Sequence, residues 1–250
     1  MKFLSSLIVA LCVFSSVAAE QNQKPAVEPS AQDLMDNMVA RLPREPITIT
    51  GDIILRKRRG VVLRELKFQM KLDWGGEPAT AQYIIMDALG ARLEELNVSR
   101  EKGKQPQFSY SSASAAGTAA PPLSGPIQGT DLSWTDLTLS FLWWKGNAIV
   151  GREEIRGRPC YIVAATPGWA GAGQYAKVHL WVDEELNMLL QAKGFDSEGR
   201  EIRSLWVKGF KKINDKWMIK DMEIQSSPEH RTKLLINDAN DTGAETVPKP

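Results

Sequence analysis

The side chains that could do chemistry are few and scattered. The chain holds two histidines, His179 and His230, and two cysteines, Cys12 and Cys160. A serine or cysteine nucleophile needs a base beside it, and a metal needs clustered ligands. The two histidines are far apart, each flanked by strand-like sequence, and read as structural or surface residues. The acidic pairs Glu94-Glu95 and Glu153-Glu154 place neighbours on opposite faces of a strand, which suits solvated edges better than an acid/base couple. Gly171-Ala172-Gly173-Gln174-Tyr175-Ala176 spells a dinucleotide fingerprint. It follows a Pro-Gly loop and opens a strand, however, whereas that motif must follow a strand and open a helix. Asp238-Ala239-Asn240-Asp241-Thr242-Gly243 begins like a calcium loop, yet Lys249 occupies the position where a bidentate Glu is required. There is no G-x-S-x-G, H-E-x-x-H or C-x-x-C. No catalytic residue, metal or cofactor is expected, and the reading is non-enzymatic.

What stands out instead is tryptophan: Trp74, Trp134, Trp143, Trp144, Trp169, Trp181, Trp206 and Trp217. Such rings suit a packed core or an acyl-chain cavity. The elements that must position them are mostly strands. From Tyr175 to Ile236 the chain reads as consecutive antiparallel strands joined by Asp/Asn/Gly turns: 177–182, 188–195, 202–210, 217–224 and 233–236. Several are apolar on both faces, as two covered faces or one face lining a cavity would require. This sheet continues one begun near Ile47, where 47–55 and 62–74 form a hairpin around Arg56-Lys57-Arg58-Arg59-Gly60. Leu66, Phe68, Met70, Leu72 and Trp74 face one way, against Glu65, Lys67, Gln69, Lys71 and Asp73. The basic turn 56–59 could touch lipid headgroups, but a solvated tip is the plainer reading. Further strands are expected at 79–86, 91–98 and, as two short ones, within 153–166.

Two helices complete the pattern. Ser30 caps one from Ala31 to about Leu42, with an apolar stripe of Leu34, Met35, Met38, Val39 and Leu42. Asp131 or Ser133 caps another running to about Trp144, where Leu137, Phe141 and Trp144 share a face near Trp134. That helix is too apolar for a surface. Before it, residues 109–129 shift to Ser, Ala, Gly and Pro and read as a mobile loop.

Residues 1–19 read as a secretory signal peptide, with a positive start, an apolar run and small residues at Val17-Ala18-Ala19 before a cut after Ala19. The run is shorter than the roughly 20 residues of a spanning helix. Cys12 leaves with the signal, so Cys160 has no disulfide partner and reads as a buried filler. Residues 20–29 form a flexible leader, 30–240 one domain and 241–250 a disordered tail. Loss of Lys2 leaves acids and bases in balance, which argues against nucleic acid as a partner.

A capped N-terminal helix and a long first hairpin are followed by Gly129-Thr130-Asp131-Leu132-Ser133-Trp134-Thr135-Asp136-Leu137. Then come a Tyr-x-x-Val-x-Leu-Trp-Val-Asp strand from Tyr175, Phe195-Asp196-Ser197-Glu198-Gly199-Arg200 and Arg231-Thr232-Lys233-Leu234-Leu235-Ile236. In this order the segments resemble the outer-membrane lipoprotein-sorting (LolA-like) superfamily. That resemblance implies a mainly β (α+β) fold: a strongly curved antiparallel sheet forming an unclosed half-barrel, with helices covering its concave face. It implies a periplasmic, non-catalytic carrier of lipoprotein acyl chains or other lipids. Leu66, Phe68, Met70, Leu72, Trp74, Trp181 and Trp206 would line its cavity, and Trp134, Leu137, Phe141 and Trp144 would form a lid helix. Arg92 and Arg64 are the candidates for the arginine that latches such a lid. The chain would be a monomer whose further partner is a transport protein of the inner or outer membrane. The alternative within the same fold is a lipid-sensing regulatory module acting through protein contacts. Phe141→Ala or Trp144→Ala should then alter ligand retention more than folding.

Overall fold

The structure is a computed structural model and describes residues 28–113, 123–168, 175–213 and 216–241. The signal peptide 1–19, most of the leader, the 171–174 part of the glycine loop with Trp169, and residues 242–250 lie outside the described residues.

The first meander runs Ile47–Lys57 (β1), Val62–Asp73 (β2), Ala79–Met86 (β3), Arg92–Arg100 (β4) and Gln107–Ser112 (β5). The second runs Gly146–Ile155 (β6), Arg158–Thr166 (β7), Lys177–Asp183 (β8), Leu189–Phe195 (β9), Glu201–Ile213 (β10), Lys216–Gln225 (β11) and His230–Asp241 (β12). All twelve form one antiparallel sheet, in the order β5-β4-β3-β2-β1-β12-β11-β10-β9-β8-β7-β6. Pairing of β1 with β12 joins the two meanders, so first and last strands meet at the middle of the sheet. β5 and β6 are its two edges, and the sheet is unclosed.

Period-two alternation decides which face is inner. On β2, Leu66, Phe68 and Met70 are buried while Glu65, Lys67 and Lys71 are exposed. The inner side chains of both meanders belong to one apolar cluster, which also holds Leu34, Met35 and Met38 of α1 (Ala31–Ala40). Ser30 and Asp33 close a reciprocal capping box that starts α1. One inner position is glycine for want of space. A Cβ on Gly51 would fall 2.6 Å from the Phe68 ring and 2.0 Å from the Leu235 carbonyl oxygen.

Four expectations need correction. β5 forms where a loop was expected to begin, because Phe108 and Tyr110 alternate inward between serines and its backbone pairs with β4. β6 starts at Gly146, well before Glu153. β12 extends beyond Lys233–Ile236 to Asp241, and Asp238 to Asp241 are strand because β1 supplies partners from Thr50 to Ile47, with Asn237 at a bulge. The tryptophan-rich helix is not one helix. α2 covers only Trp134–Leu137, Leu139 takes a left-handed conformation (φ 49°), and a 3-10 turn resumes over Ser140–Trp143. A straight helix would put Leu139 and Trp143 on the side opposite Leu137 and Phe141. The break lets both sets pack against the apolar cluster.

Candidate functional site

The segment from Leu123 to Trp144 connects the two meanders, and nearly every side chain in it from Thr130 to Trp144 is buried. Its apolar members Leu132, Trp134, Leu137, Phe141, Leu142 and Trp144 share the main cluster with the inner faces of the strands. Many of its polar members are buried too, where a polar group needs a partner, and the partners of Gln128, Asp131 and Asp136 anchor the segment at three points.

At its start, Gln128 takes a left-handed conformation (φ 47°) in the 3-10 turn Ile127–Gly129. Arg64 on β2 donates to the Gln128 carbonyl at 2.7 Å, and the Gln128 amide donates to Glu94 on β4, which also accepts from Tyr110 at 3.0 Å. At the second anchor the Asp131 carboxylate is 0% exposed. One oxygen accepts from the Ser226 amide (3.0 Å) and hydroxyl (2.5 Å), the other from Thr232 Oγ1 (3.0 Å), and His230 Nδ1 lies 3.0 Å from the latter. The Asp131 amide donates back to Thr232 Oγ1 at 2.8 Å. This anchor ties the segment to the β11–β12 turn and to β12.

The third anchor is an ion pair. Ser133 caps α2 and shares a capping box with Asp136. The same Asp136 accepts from Arg203 Nη1 of β10 at 2.5 Å and from the Tyr175 hydroxyl at 2.6 Å. Burial opposes the charge on Arg203, but Asp136 and Tyr175 outweigh it and the net shift of its pKa is upward. Tyr175 is seated by Gly194 on β9, where a Cβ would come within 2.2 Å of the ring.

Around the Leu139 break the packing is incomplete. An apolar gap of about 100 Å³ lies among Ile49, Met70, Leu72, Trp74, Leu139 and Trp143. A second, of about 140 Å³, opens between Met38, Leu42, Leu139, Leu142, Phe210 and Trp217. Leu42, Leu139, Leu142 and Ile219 border both. Trp143 lies at the rim, its ring centroid 5.0 Å from that of Trp74 and 4.9 Å beneath the Arg100 guanidinium. A larger hollow, about 610 Å³, is an open groove on the outer face of β2 to β5, bordered by Lys71, Asp73, Gln82, Asn97 and Ser99 as well as Pro46, Val98 and Phe108.

Of the residues picked from sequence, Leu66, Phe68, Met70, Leu72 and Trp74 pack in or against the main cluster together with Trp134, Leu137, Phe141 and Trp144. Trp181 and Trp206 are not brought there, which corrects their assignment to a cavity lining. On β8, Val178, Leu180 and Val182 point inward, so Trp181 points outward into a separate cluster with Cys160 and Leu190, its indole donating to Glu153 at 2.7 Å. On β10, Leu205 and Val207 point inward, and Trp206 lies outside near Arg231 and Lys208. Glu94 and Glu95 do face opposite ways, but both are buried and hydrogen-bonded rather than solvated. Of the two arginines considered for a latch, Arg92 pairs with Glu95 on the outer face, and Arg64 reaches only the Gln128 carbonyl. The arginine that holds α2 is Arg203. Its signal in the sequence was an Arg at an inward position between Leu205 and Ile202, costly unless an acid waits for it. Among the described residues no cluster of His, Cys, Asp and Glu could hold a metal.

Comparison with known proteins places this arrangement. No curated protein sequence matches the chain. A family model described as "Uncharacterized protein" matches residues 94–242. Among solved structures, a DUF1329 family protein from Desulfovibrio piger superposes with a TM-score of 0.72 at 18% identity, covering 86% of this chain and 93% of that one. A putative outer membrane lipoprotein-sorting protein domain from Vibrio parahaemolyticus gives 0.70 at 16% identity, covering 86% and 94%. A LolA superfamily protein from Nitrosomonas europaea gives 0.69 at 14%, covering 85% and 94%. The chain therefore belongs to the family matched over 94–242, and its fold is that of the LolA-like, outer-membrane lipoprotein-sorting superfamily.

Proposed function

We propose that this protein is an exported, monomeric, non-catalytic carrier of acyl chains, from lipoproteins or other lipids. In this reading residues 1–19 direct export and are removed, and 30–240 form the carrier domain in the periplasm. The sheet curls around α1 and the 123–144 segment, which lie on its concave side. The stretch Trp134–Trp144 is a lid. Its side chains fill the interior until an acyl chain takes their place beside Leu66, Phe68, Met70, Leu72 and Trp74.

The observation that carries this reading is the pairing of incomplete apolar packing with a jointed segment. The gaps meet at Leu139, where the segment changes direction, and together they fall short of the ~300–1,000 Å³ of a ligand site. Moving the whole Trp134–Trp144 stretch, with loss of the Asp136–Arg203 contact, would open the remaining volume. Burial of an apolar chain contributes about 25 cal/mol per Å², and the displaced side chains lose part of the same quantity, so binding and release differ by a small, adjustable amount. A membrane transport protein that displaces the lid would complete transfer without chemistry.

The test is mass spectrometry of the exported protein under gentle conditions, followed by transfer of a labelled lipid between two vesicle populations. Co-purified lipid with protein-dependent transfer supports carriage. Bound lipid without transfer points to a lipid-sensing module of the same fold. Absence of both bound lipid and transfer overturns the reading.

A further inference from the structure

The end of the β1–β2 hairpin projects past the core. Every residue from Arg56 to Glu65 is exposed, and the inner-face alternation resumes only at Leu66. Two features of opposite character lie side by side there. Arg56, Lys57, Arg58 and Arg59 form an unbroken run of cations. Immediately after Gly60, Val61, Val62 and Leu63 are 58%, 49% and 46% exposed. Arg56, Lys57 and Arg58 border a groove of about 380 Å³, whose other wall is the β11–β12 turn and the start of β12. Arg231 and Lys233 on that wall are already paired, with Glu223 and Asp221 at 3.0 Å each. The four cations of the hairpin have no ion-pair partner among the described residues. Glu65 and Glu229 are exposed acids at the same end, so a positive excess remains.

The end is held in shape. Gly60 adopts φ 87° and donates to the Lys57 carbonyl at 2.8 Å, Lys57 donates to Val61 at 2.8 Å, and Arg58 donates to the Glu229 carbonyl at 3.1 Å. The chain therefore presents a fixed basic ridge beside a fixed apolar one.

We propose that this end is a docking surface for an anionic phospholipid bilayer. The cations meet lipid phosphates, and Val61, Val62 and Leu63 enter the boundary between headgroups and acyl chains. Charge complementarity selects the occupant: anionic leaflets draw juxtaposed Lys and Arg. The apolar trio distinguishes a bilayer from an acidic protein. Consecutive residues of an extended chain point to alternate faces, so a protein groove would cover one face and leave the other wet, whereas the lipid boundary surrounds both. Pairing lipid-seeking apolar groups with cations gives two signals, which stable membrane attachment requires. The surface lies over the second anchor, since His230 on the groove wall contacts Asp131. The apolar gap beside Leu42 and Trp217 is at the other end of β1 and β11, so docking is separate from cargo entry.

The experiment uses the exported chain from residue 20 onward and sedimentation with vesicles of phosphatidylglycerol or of phosphatidylcholine. Association with the anionic vesicles and not the neutral ones is expected. R56Q with R58Q should weaken it about thirtyfold, from roughly fivefold per cation, and added salt should do the same to the unaltered protein. V61S with L63S should weaken it at least about tenfold without changing circular dichroism, because both side chains are exposed. Three results overturn the proposal: no preference for anionic vesicles, full displacement by inorganic phosphate at matched phosphate concentration, or unchanged binding by V61S with L63S. The last would mark a purely electrostatic surface of the kind an acidic protein uses. Lipid retention in the interior is read separately and does not depend on this surface.

Discussion

Replacement of Arg203 by Met should make the protein less stable and yet bind acyl chains more tightly. The Arg203–Asp136 pair is buried on both sides, and removing one member of such a pair costs about 3–5 kcal/mol. Asp136 keeps the Ser133 amide and hydroxyl and the Tyr175 hydroxyl as donors. That places R203M near the low end, at about 3 kcal/mol. Only the closed arrangement makes this contact. Its loss therefore raises the closed state relative to a displaced lid as well as to the unfolded chain. An acyl chain that binds only when the lid is displaced gains in apparent affinity by the factor by which the competent population rises. About 3 kcal/mol corresponds to a factor on the order of 100, reached in full only while the displaced lid stays a minor state.

Two measurements on one variant check this: urea unfolding for stability, and titration with a fluorescent long-chain fatty acid for affinity. Y175F removes one hydrogen bond to a charged group, worth about 1.5–3 kcal/mol, and should move both readings the same way by a smaller amount. If R203M loses stability and also loses affinity, the pair supports the binding site instead of competing with it, and the lid reasoning fails. Phe141→Ala and Trp144→Ala, which the sequence suggested, separate these effects less well. Both residues are almost fully buried, and truncating such side chains costs about 3–5 kcal/mol through the cavity left behind.

Gly194→Ala should act like a weaker R203M, because its Cβ must push the Tyr175 ring away from Asp136; a loss of about 1–3 kcal/mol in urea unfolding is expected, with fatty-acid affinity raised. The Cys160 thiol, pushed up to about 11 by burial and then by Asp183, should resist alkylation at neutral pH in the folded protein and react once denaturant is added, as peptide mapping would show. Asp183 is buried, which raises its pKa, but hydrogen bonds from Arg158 and the Leu186 and Glu185 amides outweigh this and the net shift is downward. A carboxylate with a depressed folded pKa contributes stability at and above the ordinary range and loses it as pH falls through its folded value. Asp183→Asn should thus lower the melting temperature at neutral pH, with the gap to the unaltered protein closing in acid.

The strands that could be read from sequence were those whose alternation is strong. β2 sets Leu66, Phe68 and Met70 against Glu65, Lys67 and Lys71, and one face has to be buried whatever the partner. β5 and the end of β12 carry Ser, Asn and Asp, which are poor strand formers by themselves. Their strand character comes from pairing with β4 and β1, far away in sequence. Trp181 and Trp206 were misplaced for a related reason. Both faces of β8 and β10 carry apolar residues, so alternation separates the two sets without saying which one faces the interior. The polar anchors were hidden more deeply. Asp131 and Ser133 look like helix caps in sequence, and Ser133 is one with Asp136 closing its box, but the remaining partners of Asp131 and Asp136 come from β10, β12, the β11–β12 turn and Tyr175. Local sequence held only half of each contact.

Asp131 separates a hinge from a latch. It precedes α2 and the Trp134–Trp144 stretch that would move, and its carboxylate accepts from Ser226 and Thr232 beside His230. Were the lid to swing about the chain between Asp131 and Ser133, the Asp131 anchor would persist in both positions while the Asp136–Arg203 contact would be lost in one. Removing it must then raise the closed and displaced states by the same amount relative to the unfolded chain. Asp131→Asn replaces one acceptor oxygen by an amide nitrogen and leaves buried donors without a partner, at about 1–3 kcal/mol each. Stability in urea should fall by that order while fatty-acid affinity stays where it was. R203M changes both readings and D131N only one, although each removes a buried charged group of the same segment. Should D131N tighten binding as much as R203M, the whole segment leaves together, and Asp131 is part of the latch instead of the hinge.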